Sequence, residues 1–317
     1  MIAPASTRSL SSAKLIDPQA LMNIRSLELR ARSVVEGFWS GMHRSPYHGF
    51  SVEFTEYRQY TEGDDLRYVD WRVFARSDKY FIKKFEDETN LRVHLLMDLS
   101  KSMEYGTRGF TKAQYAATLA ATLGYFLHQQ GDAVGLLTFD ETVREYLPAR
   151  SRLSHLRMIM HALEKPAGGK ATNLTAPLER ITTLVRKRGM IAFFSDFLAP
   201  LDRVEKNLLT LIAMGHEVSV FQVLDPAELT LGLEQAAMFQ DIESERTVYI
   251  DPTVAREAYV KKFSEHREAL QVICRKLGAS YHMLSTAQPM ETTLFDFLQE
   301  RMRRGRQVRV NRGGSRA

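Results

Sequence analysis

From Leu91 onward, short and nearly all-apolar runs alternate with longer stretches in which apolar residues recur at helical spacing. The short runs are LRVHLLMD (91–98), DAVGLLTFD (132–140), GMIAFFSD (189–196), HEVSVFQVLD (216–225) and ASYHML (279–284). Each is too short for a stable helix and lacks the alternation of a half-exposed strand, so each reads as a strand buried on both faces. Between them, TKAQYAATLAATLGYFLHQQ predicts a long helix ending before Gly131. Further helices are predicted over SRLSHLRMIMHALEK, from Leu174 to about Arg188, over LDRVEKNLLTLIAMG, near 253–277 and near 290–304. TVREYLP suggests one more short strand, and AMFQDIESERTVYID a β-like excursion. The alternation specifies an α/β, doubly wound, mostly parallel sheet covered by helices on both faces.

Upstream the texture differs. Residues 1–17 read as a disordered N-terminus, and 18–42 carry a helical pattern through Leu21, Ile24, Leu27, Leu29 and Val34. From Tyr47 to Asn90, mixed alternation and paired charges predict a small β-containing module. The organisation expected is an N-terminal helix plus module over 18–90, a main domain over 91–300, and a tail over 301–317.

Composition changes this picture little. A chain of 317 residues that is 44% hydrophobic can bury a substantial core. The single cysteine, Cys274, excludes an intramolecular disulfide and a Cys-x-x-Cys metal or redox pair. No apolar run reaches the ~18 residues that span a bilayer, and the first residues lack the apolar core of a secretory signal. A soluble, cytoplasmic protein is expected. The net charge of +5 is a property of the tail, RMRRGRQVRVNRGGSRA, which holds seven arginines and no acids. Without it, 36 basic residues face 38 acidic ones. A solvated flexible end is the plain reading of that tail, and nucleic-acid binding the alternative.

The candidate chemistry lies where the first strand ends. In Asp98-Leu99-Ser100-Lys101-Ser102 a carboxylate and two hydroxyls occupy every second position. Turn formation and helix capping use the same residue types. A loop leaving a strand can also turn all three side chains toward one point, where hard oxygens suit Mg²⁺, with Ca²⁺ or Mn²⁺ as alternatives. Ligands of open α/β sheets bind beyond the carboxyl ends of the strands at the topological switch point. That rule adds Asp196, which closes GMIAFFSD, and Thr172 in the glycine-containing loop GGKATNLT, with Thr175 as the alternative.

Other chemistries fit less well. A P-loop needs a glycine where Glu164 stands and Ser or Thr where Ala171 stands. An aspartyl phosphotransferase needs a second acid where Ser100 stands. Ser195-Asp196 lacks the Gly-x-Ser-x-Gly elbow of a hydrolase. No enzymatic activity is expected, with a metal-dependent phosphoesterase as the alternative.

Two resemblances sharpen these expectations. DLSKS, GGKATNL and FFSDF resemble, in chain order, the three loops of the metal-ion-dependent adhesion site of von Willebrand factor A domains. The resemblance implies a Rossmann-type fold with Asp98, Ser100, Ser102, Thr172 and Asp196 as ligands, and a site that accepts a partner's Asp or Glu. The chain departs from the pattern by inserting Lys170-Ala171 before the threonine and by Asp196-Phe197 where Asp-Gly is common. Upstream, Glu53-Phe54, Arg58-x-Tyr60, Gly63-Asp64, Arg67, Asp70-Trp71 and Ala75-Arg76 resemble the hallmark of the bacterial domain-of-unknown-function family 58. That resemblance implies a MoxR-type AAA+ ATPase as partner, an unknown client protein, and a part in maturation or assembly of other proteins. The same hallmark charges also suit an ion network packed under Trp71.

Overall fold

A computed structural model describes residues 15–43, 56–59, 80–84, 91–168, 175–232, 237–240 and 247–313. In chain order the elements are α1 (Pro18–Met22), α2 (Leu27–His43), β1 (Glu56–Gln59), β2 (Phe81–Lys84), β3 (Arg92–Asp98), α3 (Lys112–Gln129), β4 (Ala133–Phe139), β5 (Val143–Arg150), α4 (Leu153–Leu163) and α5 (Thr175–Leu184). There follow β6 (Met190–Ser195), α6 (Leu201–Ala213), β7 (Glu217–Leu224), α7 (Pro226–Thr230), β8 (Ala237–Gln240), β9 (Thr247–Ile250), α8 (Pro252–Leu277), β10 (Ser280–Ser285) and α9 (Met290–Gly313).

The main sheet has the order β10-β7-β6-β3-β4-β5. Its strands are parallel except β5, which runs antiparallel to β4 along one edge. Strand β3 lies between its successor β4 and the later β6, so connections run outward on both sides and the switch point falls between β3 and β6. This is the doubly wound α/β sheet expected. The apolar strands are buried on both faces because their alternate residues serve two cores. Leu95 and Met97 of β3 and Ala192 and Phe194 of β6 pack into a layer with α2, α3, α4 and α9. Leu96, Ile191 and Phe193 pack into the opposite layer with α5, α6 and α8. Cys274 lies in that second layer, where burial pushes its thiol up to about 12, the behaviour of a core residue.

Helix α3 is the hub of the first layer. Thr111 caps it, accepting the Gln114 N–H while the Gln114 side chain bonds back to the Thr111 N–H, and Gly131 ends it at φ 85°. Small residues such as Ala116, Ala120 and Ala121 let it lie close to the sheet, and Gly124 approaches Leu95 closely. Helix α2 covers α3 with Leu27, Ala31, Val34, Val35 and Phe38, one stripe at helical spacing. Phe38 and Trp39 meet Phe126 of α3 at ring distances of 5.9 and 5.7 Å. The N-terminal helix therefore shares the core of the main sheet.

Several expectations need adjustment. The pattern over 18–42 is two helices, because Ser26 accepts the Leu29 N–H and starts α2 afresh. Leu29 then points outward and is 54% exposed. TVREYLP is a full edge strand of eight residues. The tail expected to be flexible from 301 continues α9 to Gly313; arginine is a good helix former, and cations favour a helix C-terminus. The excursion near 240 is an antiparallel pair, β8 with β9. Of the hallmark module, β1 and β2 pair antiparallel, whereas Asp64, Asp65, Arg67, Asp70, Trp71 and Arg76 lie outside the described residues. No helix among the described residues is long and apolar enough to cross a membrane.

One buried titratable group in the sheet sets a pH dependence. His94 on β3 is buried with its Nδ1 unpartnered. Burial, with smaller contributions from His216 and Arg92, pulls its pKa from 6.5 down to about 4. The unfolded chain then binds a proton that the folded chain refuses, so stability is full above pH 6.5 and falls as the pH drops toward 4. The loss should reach roughly 3 kcal/mol. Urea unfolding at pH 7, 5.5 and 4.5 should show wild type losing stability relative to His94→Leu as the pH falls, a difference in which the opposite contribution of raised carboxyls such as Asp98 cancels. Equal declines in both would remove His94 as the cause.

Candidate metal centre

Strand β3 delivers Asp98 to the carboxyl edge of the sheet, and β6 delivers Ser195 and Asp196 beside it. The chain after Asp98 runs extended through Ser100 and then makes a 3₁₀ turn over Lys101–Glu104. Asp98 fixes this departure by accepting the Ser100 N–H at 2.8 Å through Oδ1. Its Oδ2 accepts the Ser195 hydroxyl at 2.6 Å, which ties the first loop to the third. The Ser100 and Ser102 hydroxyls stand 3.2 Å apart, and the Ser102 hydroxyl also bonds Asp196. Four of the five expected ligand residues, Asp98, Ser100, Ser102 and Asp196, thus come together. Thr172 lies outside the described residues. The loop that carries it starts at the site, since the Gly168 N–H donates to the Leu99 carbonyl, while Thr175 opens α5.

The third loop is braced from behind. Gln222 donates to the Asp196 carbonyl at 2.8 Å and accepts the Tyr281 hydroxyl at 2.6 Å. Phe197 adopts φ 54°, the left-handed region that favours glycine. Its fully buried ring packs 4.7 Å from Phe193, and that burial offsets the backbone cost.

The residue that sequence reasoning missed is Lys112. Its ammonium is fully buried and donates to Asp196 Oδ2 at 2.8 Å and to Glu228 Oε1 at 2.6 Å. Glu228 also belongs to the cap of α7, accepting the Asp225 N–H at 2.8 Å. Burial works against the charged form of Lys112, yet Asp196 and Glu228 outweigh it and hold its pKa above the usual lysine value. Burial likewise opposes the charge of Asp196, but Lys112 overcomes it and keeps that carboxyl below the usual range. Asp98 has no such cation among the described residues. Burial, then the charge of Asp196, pushes it up to about 7. The available signal for Lys112 was its place: a lysine in the first turn of a predicted helix opposes the macrodipole and calls for a local anion.

The donor set fits a hard divalent cation. Two carboxylates and two hydroxyls converge, and among the described residues Asp98 is paired with no cation and, with Glu228 ionised, three acids stand against a single lysine. A divalent cation would balance that charge. Among the described residues no group of three or more His, Cys, Asp or Glu side chains is placed to hold a metal, so the hydroxyls have to share the work here. Ser102 is half-buried whereas Asp98, Ser100 and Asp196 are buried, so approach is from the Ser102 side.

The family profile described as "Protein of unknown function DUF58" matches residues 56–269. Uncharacterized proteins of Mycobacterium tuberculosis and Mycobacterium bovis are each 29% identical over 301 residues, covering 93% of this chain and 94% of theirs. Among solved structures, the chain is similar to the conserved hypothetical protein BatB from Bacteroides thetaiotaomicron, at a TM-score of 0.41 and 13% identity over 66% of this chain and 98% of that one. It is also similar to the SpRpn10 VWA domain, at a TM-score of 0.38 and 12% identity over 65% and 94%.

Removing Lys112 would leave Asp196 and Glu228 buried without a cation. Lys112→Met should therefore cost about 3–5 kcal/mol in chemical unfolding. Adding Asp196→Asn should return part of that loss, a coupling that a double-mutant cycle measures. A neutral Lys112→Met would mean that the ammonium does not hold this edge together.

Proposed function

The chain belongs to the DUF58 family of proteins of unknown function, and we propose that it is a metal-dependent protein-interaction module without catalytic activity of its own. The observation that carries this reading is the oxygen cluster at the switch point, in which Asp98, Ser100 and Asp196 are buried and Ser102 is half-buried. Asp98, Ser100 and Ser102 would hold Mg²⁺, with Thr172 expected from the second loop. Asp196, held by Lys112 and the Leu198 N–H, would add the second carboxylate. The bound cation would supply an open position for an acidic oxygen of another protein.

The commitments of neighbouring groups support a holding role. The Ser195 hydroxyl is buried and donated to Asp98, and Lys112 is shared between two carboxylates. Each is spent on positioning. The partner in this reading is a MoxR-type AAA+ ATPase together with a client protein, as the family resemblance implies.

Titration calorimetry with Mg²⁺ should show one saturable site in wild type, weakened at least tenfold in Asp98→Ala and in Ser100→Ala. Equal Mg²⁺ affinity in folded Asp98→Ala would remove the site. Capture of the ATPase should depend on Mg²⁺ and be lost with chelator. Hydrolysis of a generic phosphoester that disappears in Asp98→Ala would replace the interaction reading with an enzymatic one.

A further inference from the structure

Away from the carboxylate cluster, a cavity of about 330 Å³ opens between the N-terminal helices and the loop that precedes α3. Three arginines line it: Arg25 from the link between α1 and α2, Arg30 from α2, and Arg108 from the loop. Its other polar walls include the amides of Gln19, Asn23 and Gln114, and no acid lines it among the described residues.

Among the described residues no carboxylate hydrogen-bonds or ion-pairs with Arg25, Arg30 or Arg108, although Glu164 attracts Arg30 from nearby. Nε of Arg30 and Nε of Arg108 are buried and donate to nothing. The one hydrogen-bond partner of Arg30 is the Met22 thioether, a weak acceptor, at 2.9 Å. Glu164, whose charge Arg30 feels, is committed to the Leu27 N–H. A buried guanidinium donor without an acceptor is costly, as at Arg30 and Arg108, and the exposed Arg25 adds a third positive charge to the lining. The loop is nonetheless held in place from outside the cavity. Thr107 donates both its N–H, at 3.0 Å, and its hydroxyl, at 2.6 Å, to Asp225, so Arg108 sits on a fixed backbone.

We infer that this cavity is a binding site for a small molecule carrying a phosphate group. The planar fork of arginine matches phosphate oxygens bidentately, and three guanidiniums suit the charge of a dianion better than that of one carboxylate. The volume lies at the lower end of the ~300–1,000 Å³ of ligand pockets. A neighbouring cavity of about 620 Å³ shares Arg25, Arg30 and Gln114 with it and is also lined by Glu104, Glu164 and Lys165, so it suits a neutral or cationic remainder of the molecule. The site uses none of the carboxylate cluster and stands whether or not that cluster holds a metal.

Calorimetry on the full chain at constant ionic strength, with inorganic phosphate, pyrophosphate and adenosine monophosphate as probes, tests it. Saturable binding of at least one probe is expected, at least tenfold weaker in Arg108→Gln and in Arg30→Gln. Arg30→Lys should be intermediate, because charge is kept and the fork is lost. Arg275→Gln, on α8, should bind as wild type does. Arg108→Gln lies in a loop and carries the test should Arg30→Gln fail to fold. The absence of saturable binding by any probe, or unchanged affinity in folded Arg108→Gln, would overturn the site. Binding of citrate alone would overturn the phosphate assignment in favour of a carboxylate.

Discussion

Two carboxylates buried side by side at the ends of adjacent parallel strands set the terms for this molecule. Asp98 and Asp196 cannot both be ionised cheaply in a closed edge. The chain resolves half of the problem with its own cation, by bringing the buried Lys112 ammonium to Asp196. It leaves the other half open, with Asp98 held near neutrality by burial and its neighbour's charge. A cluster that is balanced on one side and unbalanced on the other is a place for an added cation.

The fold supplies this arrangement because a doubly wound sheet reverses direction between β3 and β6. The two strands end level, so the loops after them face each other without any helix between. The apolar residues of these strands, shared between two helical layers, hold the edge rigid. Even the strained Phe197 is anchored by burial, and its carbonyl bonds the His266 ring at 2.9 Å. Positioning here is a property of the core as much as of the loops.

Sheet and helices were legible because their signals are local. Runs such as GMIAFFSD have no other stable use, and glycine marks helix ends at Gly131 and Gly215, both with positive φ. Asp98 and Asp196 were legible for the same reason, as acids abruptly following apolar strands. Lys112 was not, since its meaning lies in partners 84 and 116 residues away. Leu29 misled because one stripe was drawn through a break that Ser26 creates. The length of α9 was missed because an arginine run reads equally as a solvated tail and as a helix.

The loop from Leu99 to Thr111 joins the two charged regions. Ser100 and Ser102 belong to its first half and Arg108 to its second. Between them, Gly106 passes so close to the Phe110 carbonyl that a Cβ there would overlap it, which folds the loop back on itself. Asp225 then clamps Thr107 while capping α7, and Thr286 adds a second hydroxyl contact at 3.3 Å. Asp225 ends β7 just as Asp98 ends β3, yet its oxygens are spent on loop and cap donors. Strand-end aspartates in this sheet therefore divide by what surrounds them. Asp225 is saturated by four hydrogen bonds, Asp196 is neutralised by Lys112, and Asp140 at the end of β4 is paired with Arg144, whereas Asp98 accepts two hydrogen bonds, has no cation among the described residues and keeps the capacity to bind one.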